Sequence, residues 1–418
     1  MLIVAIIAMM AIANLQYAWT FFTGPLTKSL GASLAAVQVA FSTFVLLETW
    51  LVPFEAYIVD KLGAKVVVFC ASFLVALGWV GSGLTHSLGG LYFWYAVGGL
   101  GAGAVYGTCM GIALKWFPDY RGFAAGLTAG AYGFGTALTI YPINIQIQNS
   151  GYQSAFITWG IIQGAVVLLA SLVIQSPPKG WEPPGWAEKK LKIESRVSMS
   201  RKSYTPFQMV TKGPFWVMYV MMTMVAFGGL MVTAQLSPIG KSLGMDKQIM
   251  IWSMNAIVLA NEFDRILNGV TRPFWGWISD HLGRPNTMAV AFTAEAVMIY
   301  IWMQFISHPL TFVIMSGFVF FAWGEIYSLF PATVGDVFGS EYATTNYGVM
   351  YTAKGTASLA SGPGAAMLMA WAGSWTPVFW VGILCDLTAA ALAWFWLRPL
   401  ILSFTQQAPA RVTAPAGD

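Results

Sequence analysis

One pattern occurs twice in this chain, and the two copies lie 220 residues apart. VPFEAYIVDKLG begins at Val52 and RPFWGWISDHLG begins at Arg272, and both have proline, phenylalanine, isoleucine, aspartate, leucine and glycine in one register. Such internal symmetry predicts a duplicated bundle. The comparison also isolates Arg272, because this cation stands where the first copy has only Val52.

The composition places the chain in a membrane. Of its 418 residues, 57% are hydrophobic and 9% are charged, and the mean hydropathy is +0.66, which a soluble protein of this size could not keep off its surface. A helix that crosses hydrocarbon needs roughly 20 apolar residues. We predict an all-α membrane protein with twelve transmembrane helices in two pseudo-symmetric six-helix halves. The predicted spans start near Met1, Ala36, Lys65, Gly89, Arg121, Tyr152, Gly213, Gln248, Thr287, Leu310, Thr344 and Trp375.

The only long polar segment divides the twelve spans into two groups of six. We predict an N-terminal half over residues 1–175, a cytoplasmic linker over 176–212, a C-terminal half over 213–397 and a cytoplasmic tail over 398–418, disordered after Phe404. Lysine and arginine collect on the cytoplasmic side of membrane proteins, so the linker and both termini are predicted to lie inside. The linker's basic residues are Lys179, Lys189, Lys190, Lys192, Arg196, Arg201, Lys202 and Lys212, against Glu182, Glu188 and Glu194. We interpret it as a solvated connection, not as a nucleic-acid or lipid-specific patch.

Several other classes of protein are disfavoured by the sequence. No basic segment precedes the first apolar run, so we interpret that run as a spanning helix and not as a secretory signal. The three cysteines, Cys70, Cys109 and Cys385, have no paired or metal-type spacing, so neither disulfides nor a metal nor another cofactor is expected. The chain lacks HExxH and GxSxG motifs, and its histidines, His86, His281 and His308, fall in loops. An intramembrane enzyme is therefore not predicted.

The duplication extends to further segments. GTA at Gly135 matches GTA at Gly355, which makes Phe134 the counterpart of Lys354. GAVYG at Gly103 matches GEIYS at Gly324, which pairs Tyr106 with Tyr327. Parallel repeats with a site between them near the middle of the membrane are an architecture of transporters.

The motifs of this chain resemble those of the major facilitator superfamily. VDKLGAK from Val59 and SDHLGRP from Ser279 are similar to the superfamily signature in the loop after the second helix of each half. Within it, the chain resembles the oxalate/formate antiporter family, which is related to the monocarboxylate transporters. The segments that carry this resemblance are NLQYAWTFFTGPL from Asn14, KWFPDYRGFAAG from Lys115, RPFWGWISD from Arg272, FFAWGEIYSLFP from Phe320 and YTAKGTAS from Tyr351.

Two cations inside predicted spans favour an anionic substrate. Arg272 lies about 12 Å from the cytoplasmic end of its helix and Lys354 about 15 Å from the end of its own. Charges at this depth cost about 2.5 to 3.5 kcal/mol and normally face a cavity or a partner. Arginine grips a carboxylate with two parallel hydrogen bonds, whereas lysine supplies a compact charge. The alternative is that each cation neutralises an internal acid, and the candidates are Glu48, Glu55, Asp264, Glu325 and Asp386.

Further side chains are expected near these cations. Asn261, Arg265 and Asn268 share a helical face with Arg272, so Asn268 is a candidate ligand. Two roles are possible for Arg265 on the sequence alone: an ion pair with Glu262 or Asp264 in the same helix, or a contact with the substrate. The resemblance implies that four aromatic residues line the cavity, and Gln16 could add a donor; the alternative for each ring is ordinary packing. These aromatic residues are Tyr17, Tyr106, Trp323 and Tyr327.

Carboxylates inside the bundle raise the question of proton coupling. Glu48 is the repeat counterpart of Asn268 and is therefore expected to face inward, and Glu325 lies in the tenth span. A buried carboxylate beside a cation can exchange a proton as a site opens and closes. Glu48, Glu325 and Asp264 are thus candidates for proton coupling, or else for static charge partners of Lys354 or Arg265.

These observations predict a secondary active transporter of small carboxylates that works by alternating access. Oxalate/formate-type anion exchange is the first hypothesis. The alternative is a proton-coupled symporter of a monocarboxylate such as lactate, pyruvate or formate, and a distant one is a carboxylate sensor that does not transport. The expected partners are small carboxylate anions, protons in the symport alternative, and the lipid bilayer. We expect a monomer in the inner membrane of the cell.

Overall fold

The computed structural model describes residues 1–117, 121–178, 181–185, 202–251, 254–339 and 342–406. Within them, helices account for all twelve predicted spans. Most of the linker's basic residues and the tail from residue 407 onward lie outside these ranges, so the predictions for those segments remain predictions.

The N-terminal half contains six spans. Span 1 combines Leu2–Tyr17 and Trp19–Leu30, and span 2 combines Leu34–Trp50 and Val52–Leu62. Spans 3 and 4 are Ala64–Leu84 and Leu88–Trp116. Span 5 begins with Arg121–Phe134 and the 3₁₀ turn Gly135–Leu138, and it continues into the helix Ile140–Val173. Gly151, with φ +84°, breaks that helix, and span 6 follows it.

The C-terminal half repeats this order after the short helix Pro206–Met209. Spans 7, 8 and 9 are Gly213–Ser242, Ala256–Leu282 and Arg284–Phe305. Span 10 combines Pro309–Trp323 and Ile326–Phe338. Span 11 comprises Ala343–Leu359, the π-helical turn Ala360–Gly364 and Ala365–Ala372. Span 12 comprises Thr376–Ala391, the π-helical turn Leu392–Leu397 and Arg398–Gln406.

The start predicted for the eighth span was wrong by about two turns. Between the 3₁₀ turn Met245–Lys247 and span 8, the strands Ile249–Ile251 and Met254–Asn255 pair in antiparallel fashion. The Asn255 side chain accepts a 3.1 Å hydrogen bond from the backbone N–H of Val258, so it caps the helix and fixes its start. The apolar residues that follow Gln248 are compatible with either a short hairpin or a helix, so the sequence pattern alone does not locate the start of the helix.

The repeated motif forms the same turn in both halves. Gly63 ends span 2 with φ +83° and ψ 152°, and Gly283 ends span 8 with φ +82° and ψ 149°. Both positions have positive φ, which glycine adopts without the steric cost of a Cβ. The internal symmetry predicted from sequence is therefore present in the backbone.

The outer surface of the bundle is apolar. Large hydrophobic side chains stand exposed on many spans, among them Phe54, Phe93, Trp371 and Phe395. Exposed apolar surface on this scale is what a helix bundle in hydrocarbon presents to lipid. Polar and charged side chains are buried instead between the helices, where a transport site would lie.

Candidate substrate-binding site

The interface between the halves has two distinct ends. We call the end where span 6 finishes and span 7 begins the linker end, and the end with the turn at Gly31 the far end. Spans 1, 2 and 5 face spans 7, 8 and 11 across this interface, and the buried cations lie at its middle depth.

Uncharged hydrogen bonds close the far end. Gln38 of span 2 accepts from the Trp19 indole at 2.8 Å and donates to the Ala234 carbonyl at 2.8 Å and to Gln235 Oε1 at 3.0 Å. Two further bonds cross the interface, from the Ser42 hydroxyl to the Ser358 carbonyl and from the Ser237 N–H to the Thr20 hydroxyl. Within the C-terminal half, Gln235 Nε2 donates to the Gly362 carbonyl on span 11 at 2.8 Å. We call these bonds the far-end seal.

On the linker side, a small cavity of about 40 Å³ lies between spans 2, 4 and 11. Its inner wall includes Tyr106 and Tyr351, whose rings stack with centroids 5.3 Å apart at an interplanar angle of 9°. Lys354 Nζ lies 3.1 Å from the Tyr351 hydroxyl, immediately behind this wall. The far-end seal thus covers the site on one side, between it and a far-end cavity lined by Ser237, Lys241 and Asn255. On the other side, one pair of aromatic rings separates the site from the linker-side cavity.

Lys354 has a carboxylate partner. Its Nζ donates to Glu48 Oε2 at 2.9 Å and to Gln16 Oε1 at 2.8 Å, and both Lys354 and Glu48 are fully buried. The Tyr132 hydroxyl lies 2.9 Å from Glu48 Oε1 and 3.0 Å from Gln16 Oε1. The pairing of Lys354 with an internal acid, which the sequence left open, is the arrangement in this conformation.

Arg272 has a different environment. Its Nη1 donates to the backbone carbonyl of Ala129 in the opposite half, and its guanidinium carbon lies 4.4 Å from the centre of the Tyr327 ring. Its Nε has no hydrogen-bond partner among the described residues. No ion pair to Arg272 is found in the described part of the chain, so its positive charge is uncompensated by a bonded carboxylate.

The remaining predicted polar residues lie around these two cations. Asn268 Nδ2 donates to the Tyr17 hydroxyl at 3.2 Å. Neither Asn268 Oδ1 nor Gln16 Nε2 has a hydrogen-bond partner within the described ranges. The Tyr327 hydroxyl also has no partner there. The site therefore contains hydrogen-bond donors and acceptors that are not bonded to other described protein atoms.

Aromatic rings enclose the site from both halves. The Tyr132 ring lies 5.3 Å from that of Tyr17 and 5.4 Å from that of Tyr106, and Tyr351 lies 6.1 Å from Tyr327. Trp323 contacts the outer edge of this set, with its ring 5.3 Å from Tyr327 and packed against Gly229. All four predicted aromatic residues are therefore in or beside one cluster.

The predicted acids divide between two regions. Glu48 is at the site, and Asp264 lies 3.9 Å from Arg265 Nη2. Glu325 is buried elsewhere in the C-terminal half, where it interacts electrostatically with two further acids, Glu295 and Asp386. Its two oxygens have no hydrogen-bond partner among the residues described, so the structure shows no bond from Glu325 to Lys354.

Three residues at the site were not anticipated from sequence. Tyr351 is one turn before Lys354, and the helical spacing of the two was the available signal. Tyr132 lies in GLTAGAYGFG, a segment interpreted only as close helix packing, and Ala129 contributes a backbone atom that no side-chain pattern reveals. Among the described residues, no cluster of histidine, cysteine or acidic side chains has the geometry of a metal site.

Several known proteins are similar to this chain in sequence or in fold. Residues 2–352 match the sequence profile of the Major Facilitator Superfamily. The chain is 34% identical to the oxalate:formate antiporter of Oxalobacter formigenes over 395 residues, which cover 94% of this chain and 90% of that protein. It is 21% identical to monocarboxylate transporter 12 of Rattus norvegicus, over 78% of this chain and 70% of that one. A crystal structure of a D-xylose-proton symporter superposes with a TM-score of 0.72 at 15% identity, covering 94% of this chain and 97% of the other.

Proposed function

Because this chain belongs to the Major Facilitator Superfamily and is a multi-pass membrane transporter, not an enzyme, we propose that it exchanges small carboxylates across the membrane by alternating access. In this proposal Arg272 binds the carboxylate, and Lys354, Gln16, Asn268 and the surrounding tyrosines shape the pocket. The cargo makes contact with both halves, so it is carried as they rock about the site.

The observation that carries the proposal is the buried, uncompensated charge of Arg272. A guanidinium without a bonded carboxylate is costly inside a membrane bundle. Its Nε is unused by described protein atoms, and the Tyr327 ring lies 4.4 Å from the guanidinium carbon. A carboxylate anion supplies both the missing charge and the missing acceptor.

The balance of charge at the site favours one negative charge per cargo. Lys354 is offset by Glu48 and Arg265 by Asp264, which leaves the single positive charge of Arg272. A monoanion such as formate neutralises it. The empty site would have to carry a bare cation through the closed state, whereas the loaded site is neutral, and this difference favours exchange over empty return.

Orientation follows from the distribution of charge. Lys61, Lys65, Lys115 and Arg284 all lie at the linker end, so by the positive-inside rule this end faces the cytoplasm. The carrier would lie in the inner membrane with both termini inside. The far-end seal then closes the outer side in the conformation described here, and transport requires these bonds to open while spans 2 and 11 close the linker-side cavity.

A second candidate is the exchange of a dianion together with a proton. The similarity to an oxalate:formate antiporter favours oxalate, yet two negative charges exceed the single net charge of the site. A proton on Glu48 would break its pairing with Lys354 and raise the net charge to two. Oxalate would then enter with one proton, and formate would leave without one.

Uptake into proteoliposomes of the purified protein distinguishes these candidates. Vesicles are preloaded with formate, oxalate, lactate or buffer alone. The uptake of labelled formate and oxalate is followed with and without a membrane potential, and with and without an inward proton gradient. We expect uptake to require a preloaded carboxylate. In the second candidate, wild-type oxalate–formate exchange is indifferent to the potential, while Glu48→Gln makes it respond to the potential.

Each outcome of this experiment has a definite meaning. Uptake of formate into empty vesicles, driven by a proton gradient, would replace exchange by symport. Absence of uptake of every carboxylate tested, in vesicles that bind none of them, would refute the proposed substrate class. Potential-sensitive oxalate–formate exchange by the wild type would reject the proton on Glu48, because it would show that oxalate crosses as a dianion without a compensating proton.

A further inference from the structure

Arg265 is a second buried guanidinium between the halves, and the function proposed above does not use it. It lies seven residues before Arg272 in span 8. Seven residues are two helical turns, so Arg265 is on the same face of the helix and roughly 11 Å nearer the far end. The two arginines and Asn268 thus form a polar row along the interface.

Two aromatic rings pack against the Arg265 guanidinium. Its central carbon lies 4.2 Å from the centre of the Tyr17 ring and 4.1 Å from that of Phe320. Tyr17 belongs to the N-terminal half and Phe320 to the C-terminal half, so the stack spans the interface. Stacking stabilises the cation, but it leaves the N–H groups in the plane of the guanidinium unsatisfied.

These N–H groups have little to bind in the closed conformation. Arg265 is 1% exposed, and neither its Nε nor its Nη1 has a hydrogen-bond partner among the described residues. The nearest acid, Asp264, is 3.9 Å from Nη2, which is beyond hydrogen-bond distance. A buried donor without a partner is expensive, so these groups are expected to find an acceptor in another state of the transport cycle.

We propose that Arg265 is a second carboxylate-binding position, which receives an anion entering from the far end before Arg272 binds it. This inference rests on the proposed function. When the halves separate at the far end, Tyr17 moves away with span 1 and uncovers one face of Arg265 together with its in-plane N–H groups. Asn268 lies between the two arginines, and its Nδ2 donor, which bonds the Tyr17 hydroxyl in this conformation, is released when Tyr17 moves away.

Closure of the far end reverses these steps. Tyr17 returns over Arg265 and its hydroxyl accepts from Asn268 at 3.2 Å. An anion that has moved on to Arg272 is then separated from the far end by an aromatic ring. Arg265 would therefore act in capture from one side only, whereas Arg272 binds cargo in every state.

The test is to measure the half-saturation concentration separately at each end of the carrier. Proteoliposomes contain wild type, Arg265→Gln, Arg265→Lys or Arg398→Gln, and the orientation is established by protease cleavage of a tag fused after Asp418. Exchange of labelled formate or oxalate, whichever the wild type exchanges better, is measured from each side with a saturating concentration on the other. Arg398 is an exposed arginine outside the site, so Arg398→Gln controls for the loss of a guanidinium.

For Arg265→Gln we expect the half-saturation concentration at the far end to rise about tenfold or more, while the linker-end value stays within about twofold. Arg265→Lys is expected to fall between wild type and Arg265→Gln at the far end, because it keeps the charge but loses the planar fork. The control is expected to match wild type at both ends. Melting temperatures of all variants are recorded alongside.

Equal rises at both ends, or a rise at the linker end alone, would overturn the proposal. So would unchanged values at both ends, and a lowered melting temperature with unchanged sidedness would assign Arg265 to the pairing with Asp264. If Arg265→Gln does not fold, the sidedness of Arg265→Lys decides the matter. A wild type that exchanges no carboxylate would instead refute the proposed function, so the two failures are distinguishable.

Discussion

Arg272 and Lys354 are buried at similar depth in opposite parts of the same site, but different kinds of group stabilise their positive charges. Lys354 is bonded to a carboxylate, an amide and a tyrosine hydroxyl, all within 3.1 Å. Arg272 is bonded to a backbone carbonyl and covered by an aromatic ring. One cation is neutralised by the protein, and the other is not.

The comparison shows that depth and charge alone do not identify a ligand-binding residue. Glu48 comes from span 2 and Lys354 from span 11, so their ion pair joins the two halves. A carboxylate partner of this kind can hold a conformation together. A cation with only a carbonyl and a ring has charge left for a cargo. Lys354 is therefore expected to govern how the halves meet, and Arg272 to govern what is bound.

The strongest test of this contrast is the removal of Arg272. In Arg272→Gln we expect carboxylate exchange to fall about 100-fold or more in kcat/KM, because a buried charge pair with the cargo is lost. Arg272→Lys is expected to retain part of the activity, since it keeps the charge but not the fork. Proteoliposome exchange measures both, with Arg398→Gln as the control. A variant Arg272→Gln with near-normal exchange would contradict the assignment.

The next effect concerns the ion pair. In Lys354→Gln, Glu48 is left buried without its cation, which costs about 3–5 kcal/mol and lowers the melting temperature in detergent. Glu48→Gln combined with Lys354→Gln removes both charges and is expected to recover most of that loss. Melting temperatures of the wild type, Lys354→Gln, Glu48→Gln and the double variant complete a double-mutant cycle. Additive losses would mean that the two side chains are not coupled, and the contrast with Arg272 would fail.

A smaller effect is expected at Gly355, next to Lys354. A Cβ at this position would lie 2.3 Å from Thr49 Oγ1 and 2.7 Å from Trp50 Cδ1, so Gly355→Ala forces spans 2 and 11 apart. Such overpacking costs about 1–3 kcal/mol, and we expect a lowered melting temperature and weaker pairing of Lys354 with Glu48. Gly111→Ala is the matched control, since nothing lies within 4 Å of its Cβ. Equal melting temperatures of the two variants would contradict the close approach.

The architecture was readable from sequence because it depends on patterns that repeat. The paired glycines Gly63 and Gly283 and the apolar spans predicted two similar halves, and the structure and the family comparison confirm that fold. The location of Arg272 followed from the same comparison, because a substitution within a repeat stands out. The domain limits and the roles of individual site residues remain predictions.

The partners of each cation could not be read in the same way. Lys354 and Glu48 are 306 residues apart, and five internal acids were open as partners because helix patterns do not fix how spans cross. The carbonyl of Ala129 has no signature in the sequence at all. Glu295 interacts electrostatically with Glu325 and Asp386 inside the C-terminal half. It was not identified from the sequence, because span 9 was interpreted only from its apolar residues.

In the proposed orientation, the far-end seal faces the medium outside the cell. Its bonds join amides, hydroxyls, an indole and backbone groups, and none of those named here carries a charge. At about 0.1 M salt, dissolved ions largely screen interactions between exposed charges more than about 10 Å apart, but they act little on buried neutral bonds. The closed gate therefore holds with equal strength in dilute and in saline surroundings. What opens it is set by the cargo and the charges behind it, and not by salinity.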